Sequence, residues 1–323
     1  MSGRLISRRR AIVLGGLGVV GLATGAVGWM NTSAGTDPAE ASRPSVTGAD
    51  LLQPVELTSE HGRLQVELVA ATGVRLAGRD TAGFGFNGTS PGPTLRVRPG
   101  DELAVRLVNR LDRPTNLHTH GLRVSPQANS DNPFVRVDPG DSFDYLYRIP
   151  PDHPAGTHWY HPHHHGNVAD QLFAGLAGAL LVDVDQDLPV TAEQVLLVTD
   201  TTLDSAGHIV AATAGERMMG REGALVLVNG QHQPAIAAVP GASLRWRIIN
   251  ACVSRVMAVR LEGHGLTRIA ARTAPTCPRR SPVRQFCSPP ATALTPSCNR
   301  PPPAATGSSP TRWTGAGWAG WAG

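Results

Sequence analysis

The chain reads as an all-β protein built on a Greek-key β-sandwich, one complete sandwich followed by an incomplete second. Three observations predict this. Short stretches alternate apolar and polar residues with the period of two of a half-buried strand, as in Leu64-Gln65-Val66-Glu67-Leu68 and Leu103-Ala104-Val105-Arg106-Leu107. A turn, Pro99-Gly100-Asp101, recurs as Pro139-Gly140-Asp141 and again as Pro240-Gly241-Ala242, each time just ahead of an alternating stretch. Beyond the N-terminal region no convincing amphipathic helix can be picked out.

The segments follow in order. Residues 1–34 contain Ser7-Arg8-Arg9-Arg10 and then an apolar, glycine-rich run from Ala11 to Trp29 without a charge. That pattern resembles a twin-arginine export signal; an ordinary signal peptide and an uncleaved membrane anchor are the other readings. Either way the expected location is outside the cytoplasmic membrane. Residues 35–51, small and polar with Pro and Gly, are expected to be a linker. Residues 52–187 are the first sandwich, with Asn87-Gly88 and Ser90-Pro91-Gly92-Pro93 as turn chemistry. Residues 190–270 are a partial second sandwich with strands at Val195–Val198, Ala224–Val228, Ser243–Ile249 and Val256–Leu261. Four strands are too few to close a sandwich of the first kind.

After Ala270 the composition changes. Residues 271–323 hold ten Pro and six Arg, no acid and no strand periodicity, and are expected to be unstructured. The chain closes on Trp318-Ala319-Gly320-Trp321-Ala322-Gly323. Repeated ATG-GGC-GGG codons encode Met-Gly-Gly, and read one base later they give Trp-Ala-Gly. A frameshift near Ala271 and a genuine Pro-rich tail are both open.

Charge excludes one class of partner. All 29 basic residues are Arg, and the net charge is +4. Residues 1–34 carry four Arg and no acid, and the C-terminal segment is basic too, so the middle of the chain is net acidic. A folded part without a basic stripe lacks the footprint that nucleic acid needs. Of the four cysteines only Cys252 lies in the patterned region, where an isolated cysteine serves as a small buried hydrophobe.

Two stretches carry the chemistry: Leu117-His118-Thr119-His120-Gly121 and Trp159-Tyr160-His161-Pro162-His163. Side chains at i and i+2 of a strand share a face, so each His-x-His aims two imidazoles one way. Two such strands side by side would offer four neutral nitrogens to one volume, a set that suits copper or zinc better than a hard cation. His164 and His165 extend the run and are read as support behind the ligands, as an additional weak metal contact, or as exposed or hydrogen-bonded residues. His153 and His158 are expected to be structural, and His61, His208, His232 and His264 are isolated.

Phe86-Asn87-Gly88, Pro91-Gly92-Pro93-Thr94-Leu95, Asn116 to Gly121, Gly156 to His163 and Gly175-Leu176-Ala177-Gly178-Ala179-Leu180 fall in the order of the first cupredoxin domain of the multicopper oxidases, laccase-like enzymes. Leu227-Val228-Asn229-Gly230 and Arg247-Ile248-Ile249-Asn250-Ala251 are similar to the middle domain of three-domain members. The resemblance covers about residues 52–270. It implies a cupredoxin-like fold, copper as cofactor, and O2 and a small reducing substrate (phenols, aromatic amines or metal ions) as partners. Members hold a three-copper cluster with eight histidines, four from the first domain and four from the last. By that resemblance His118 corresponds to the type 2 copper ligand, and His120, His161 and His163 to ligands of the type 3 pair. Asp131 matches an acid that relays protons to the cluster; a turn-initiating Asp is the other reading. No cysteine here has a histidine neighbour, and the His-Pro-x-His-x-His segment of the last domain is not found in the sequence. The expected activity of this chain alone is therefore nil. Completion by another chain, or a role as a non-enzymatic copper-binding module, are the alternatives.

Overall fold

A computed structural model describes residues 48–183 and 189–269 with their side chains; beyond that it describes backbone strand at 270–271, 281–283, 286–288, 292–299 and 311–313. The export signal, and most of the linker and tail, lie outside the described residues. Among the described residues no helix is long and apolar enough to cross a membrane.

The first block holds nine strands: β1 (Glu56–Thr58), β2 (Arg63–Leu76), β3 (Arg79–Phe86), β4 (Thr94–Val97), β5 (Glu102–Asn109), β6 (His118–His120), β7 (Ser142–Arg148), β8 (Gly156–His161) and β9 (Gly178–Val182). They form two sheets, one ordered β1-β4-β9-β8-β6 and the other β3-β2-β5-β7. Alternation along β2 puts Leu64, Val66, Leu68 and Ala70 inward, and β5 adds Leu103, Val105 and Leu107 on the same side. These pack in one core with Leu95, Tyr160, Leu180 and Val182 of the other sheet. The first block is thus a complete sandwich. Between β8 and β9 lies a helix, α1 (Val168–Phe173), which six residues made too short to show a helical period in the sequence.

The second block continues with β10 (Ala192–Thr201), a short helix α2 (Ala214–Met219), β11 (Leu225–Val228), β12 (Gln231–His232), β13 (Ile236–Ala238), β14 (Ser243–Asn250), β15 (Met257–Val259) and β16 (Leu266–Ala271). Its core gathers Leu196, Val198, Leu244, Trp246, Ile248 and Cys252. The last residues read as linker are in fact paired: Asp50 bridges Ala235, and the Leu51 amide donates to the Ala235 carbonyl at 2.8 Å.

Four backbone strands follow, β17 (Ser281–Val283), β18 (Phe286–Ser288), β19 (Thr292–Asn299) and β20 (Thr311–Trp313), where the sequence predicts none. β19 pairs with β14 and β16, and β18 with β15. The physical reason is the unpaired edge that β14 otherwise presents, which takes any neighbouring backbone as partner whatever its side chains.

The two blocks are joined by a buried apolar cluster, in which Trp159, Ala179 and Leu181 meet Val195, Leu197 and Ile249, and by charge. Arg96 of β4 meets Glu56, Asp183 and Glu193, and Arg247 of β14 meets Asp183 and Glu193 at 2.9 Å each. Glu193 also pairs with Arg245. The shared carboxylates bridge the sheets of both blocks in largely dry surroundings, where removing one partner leaves an uncompensated charge.

Candidate metal centre

The two His-x-His stretches come together through strand pairing. β6 runs antiparallel to β8 with His118 opposite His161, Thr119 opposite Tyr160 and His120 opposite Trp159. The period of two therefore places His118, His120, Trp159 and His161 on one face. Their ring centroids confirm it, with His118 at 5.7 Å from His120 and 5.4 Å from His161. Trp159 stacks on both remaining rings, at 5.2 Å from His120 and 4.2 Å from His161. His163 lies past the end of β8, its ring 5.1 Å from that of His118.

The donor atoms of His118, His120 and His161 all lie within 4.8 Å of one another. His161 is 4 % exposed, and among the described residues its Nε2 has no hydrogen-bond partner. Its Nδ1 donates to the Pro162 carbonyl at 2.9 Å, which fixes the tautomer and leaves Nε2 with a lone pair. Burial, with His118 and His120 nearby, holds the His161 imidazole well below its ordinary pKa, so it stays neutral. A buried lone pair aimed at two further imidazole nitrogens is what a soft or borderline cation requires, and the donor set fits copper. The four histidines and Trp159 line a cavity of about 270 Å³, closed on its apolar side by Val168, Ala169 and Leu172 of α1 and by Cys252 and Val253.

Residues behind the histidines hold them in place. One Asp131 carboxylate oxygen accepts from His118 Nδ1 and from the Thr119 amide, both at 3.0 Å. This directs His118 Nε2 toward the shared volume, the arrangement common behind metal-bound histidines. Asn116, 1 % exposed, accepts from the His163 amide at 2.6 Å and donates to the Val135 carbonyl, tying the two histidine segments together. Gln171 of α1 donates to the Pro114 carbonyl and accepts from Thr115, anchoring the helix beside β6. The Tyr145 hydroxyl accepts from the Leu117 amide at 3.0 Å, and burial pushes that phenol well up. Tyr160 donates to the Pro93 carbonyl at 2.7 Å and lies across Gly178, where any side chain would collide with its ring.

Other histidines sit apart from this cluster. The Asn167 side-chain amide donates to His164 Nδ1 at 3.3 Å. Buried His158 packs edge-on to His153, which accepts from the Arg123 amide and donates to the Pro154 carbonyl. His208 is bonded to Asp204, and His264 to the Glu262 carbonyl. Sequence reasoning missed Trp159, Asn116 and Gln171. Trp159 was findable, since it precedes His161 by two on the same strand face. The two amides gave no signal, because their partners are backbone groups and the Thr115 hydroxyl, all distant in the chain.

A sandwich of this topology, carrying paired histidines on adjoining strands of one sheet, is a cupredoxin-like copper protein. Residues 69–187 match the family described as multicopper oxidase. The chain is similar to the multicopper oxidase mco of Staphylococcus aureus, 31% identical over 192 residues, 56% of this chain and 40% of that protein. The multicopper oxidase MmcO of Mycobacterium tuberculosis is 28% identical over 311 residues, 82% of this chain and 57% of that protein. Among solved structures, a multicopper oxidase from Campylobacter jejuni described as a metallo-oxidase superposes with a TM-score of 0.71 at 27% identity, covering 83% of this chain and 60% of that one. Residues 69–187 carry the multicopper oxidase domain, and the chain spans about two fifths of the length of the staphylococcal relative.

Proposed function

We propose that this chain supplies the amino-terminal half of the oxygen-reducing copper centre of an exported oxidase. That oxidase would couple oxidation of phenols, aromatic amines or metal ions to reduction of O2 to water. One observation carries the reading: His118, His120 and His161 converge within 4.8 Å on paired strands, with His163 beside them. His118 would hold the type 2 copper, and His120, His161 and His163 the type 3 pair. Copper there supplies one-electron steps between two oxidation states that imidazole tolerates equally. The chain's own residues do the rest. Asp131 orients His118 and, as the carboxylate nearest the donors, is the group that gives and takes protons. Trp159 and α1 keep water from the apolar side of the cavity. Asn116 sets the backbone of His163. The four remaining imidazoles and the substrate-side copper come from elsewhere, a further domain or another chain. Export through the segment 1–34 suits such a protein, because the twin-arginine route carries folded, metal-loaded cargo.

A second reading, a non-enzymatic copper-binding module outside the cytoplasm, is favoured by the same 4.8 Å grouping, since three donors converge without help from any other chain. Translating the DNA downstream of codon 271 in all three frames separates the two. A His-Cys-His motif in another frame supports an oxidase completed by its own downstream domain; its absence from all three favours the module or completion by another chain.

A further inference from the structure

A second cavity, of about 410 Å³, lies where the two blocks meet, and nothing in the copper chemistry uses it. We propose that it is a binding site for a small, largely apolar carboxylate. Its walls are the turn after β3, the turn between β11 and β12, and the strap that precedes β1. Junctions of this kind, with a few hundred Å³ of mostly apolar lining, are where small molecules bind most often.

The strap is bolted in place by side-chain amides. Gln231 accepts from the Leu52 amide at 2.7 Å and donates to the Asp50 carbonyl at 3.0 Å. Asn229 donates to the Leu52 carbonyl at 2.9 Å, and Gln53 accepts from the Val195 amide at 2.8 Å. These amides are spent on the wall itself. What faces the cavity is mostly aliphatic, Leu52, Pro54, Val55 and Pro91, with Thr89, Ser90 and His232 as polar exceptions; Leu52 and Val55 are exposed large hydrophobics. The site is thus formed before a ligand arrives, which lowers the ordering cost of binding.

Charge decides the ligand class. Arg75 lines the cavity and no Asp or Glu does. The guanidinium donates to the Gly78 carbonyl at 2.6 Å and stands 3.6 Å from Asp80, an exposed acid outside the lining. That weak, solvent-screened pair is readily exchanged for a carboxylate delivered from the cavity, which the planar fork of Arg suits. A hydrocarbon body on the prolines and valine, with one carboxylate at Arg75, matches both halves of the site.

The test uses the full chain without copper, so its outcome is independent of the copper reading, and 2-naphthoate as fluorescent probe. Equilibrium dialysis should show saturable binding of one naphthoate per chain. Neutral 2-naphthylmethanol should bind about three- to fivefold more weakly, the size of an exposed ion pair. Arg75→Gln should erase that preference, Asp80→Asn should enlarge it, and Val55→Trp should abolish binding by filling the cavity. Val55 and Arg75 are both solvent-exposed, and far-UV circular dichroism checks that each variant keeps its fold. Absence of saturable binding, equal binding of acid and alcohol, or full binding by folded Val55→Trp would each overturn the proposal.

Discussion

The two blocks use the same parts at two corners and diverge at a third. In the first, the Asn87 side chain accepts from the Val69 amide at 2.7 Å and donates to the Glu67 carbonyl at 2.9 Å. In the second, Asn229 accepts from the Leu197 amide at 2.9 Å and donates to the Val195 carbonyl at 2.8 Å. Both asparagines have positive φ (53° and 50°) and precede a glycine of positive φ, the two-residue turn that suits strand twist. The second shared corner follows the Pro-Gly turns. β5 ends on Asn109, which accepts from the Leu111 amide and donates to the Arg113 and Val137 carbonyls. β14 ends on Asn250, which accepts from the Cys252 amide and donates to the Arg255 carbonyl. Then the blocks part. The strand after Asn109 is His-Thr-His, and the strand after Asn250 is Met-Ala-Val, with Met257 and Val259 buried. Asparagine corners therefore speak for the fold, which both blocks share. The histidines speak for the site, whose donors among the described residues all come from the first block, while Cys252 and Val253 of the second block line its cavity.

The largest effect should come from removing donors. His118→Ala with His120→Ala should lower copper retention after dialysis at least a hundredfold, while apo stability in urea changes by only about 1 kcal/mol, because both side chains are half-exposed. An equal loss of stability and copper would mean that the histidines belong to the scaffold after all. Next, Asp131→Ala should weaken copper about 10- to 100-fold by freeing the His118 ring, as loss of a group behind a metal-bound histidine does. A competition titration with a chromogenic chelator measures this.

The asparagine corners sharpen the comparison. Asn109→Ala and Asn250→Ala should each cost about 2–3 kcal/mol, since each strands buried backbone groups. Only Asn109→Ala should also weaken copper, because the chain from Asn109 leads directly into β6; copper loss in Asn250→Ala would erase the distinction between the blocks. The smallest effect is at the turns, where Asn87→Ala and Asn229→Ala should each cost about 1–2 kcal/mol from strain at positive φ and lost hydrogen bonds. Asn229→Ala should cost the more of the two, because buried Asn229 also holds the Leu52 carbonyl while Asn87 is exposed.

Much of this was legible in the sequence where a pattern is local. The strands expected at Val195–Val198 and Ser243–Ile249 lie within β10 (Ala192–Thr201) and β14 (Ser243–Asn250), the first marked by a continuous apolar run and the second by alternation after a Pro-Gly turn. The shared face of His118 and His120 was legible from spacing alone; the pairing of β6 with β8 was not, and His163, expected on a strand face with His161, lies past the end of β8. The Arg96, Asp183, Glu193 and Arg247 network was not legible, because its members are far apart in the chain and each looks like an ordinary surface charge. Buried Asn116 and Gln171 escaped for the same reason. β19 escaped because a strand recruited by an open edge needs no side-chain pattern of its own.

X-ray absorption of the chain loaded with one equivalent of cuprous ion tests the central claim most directly. The account predicts a first shell of imidazole nitrogens only, at about 2 Å as for other imidazole-bound metals, that disappears in His118→Ala/His120→Ala and persists in Cys252→Ser. A sulfur neighbour lost in Cys252→Ser, or a shell unchanged in the histidine variant, would contradict it.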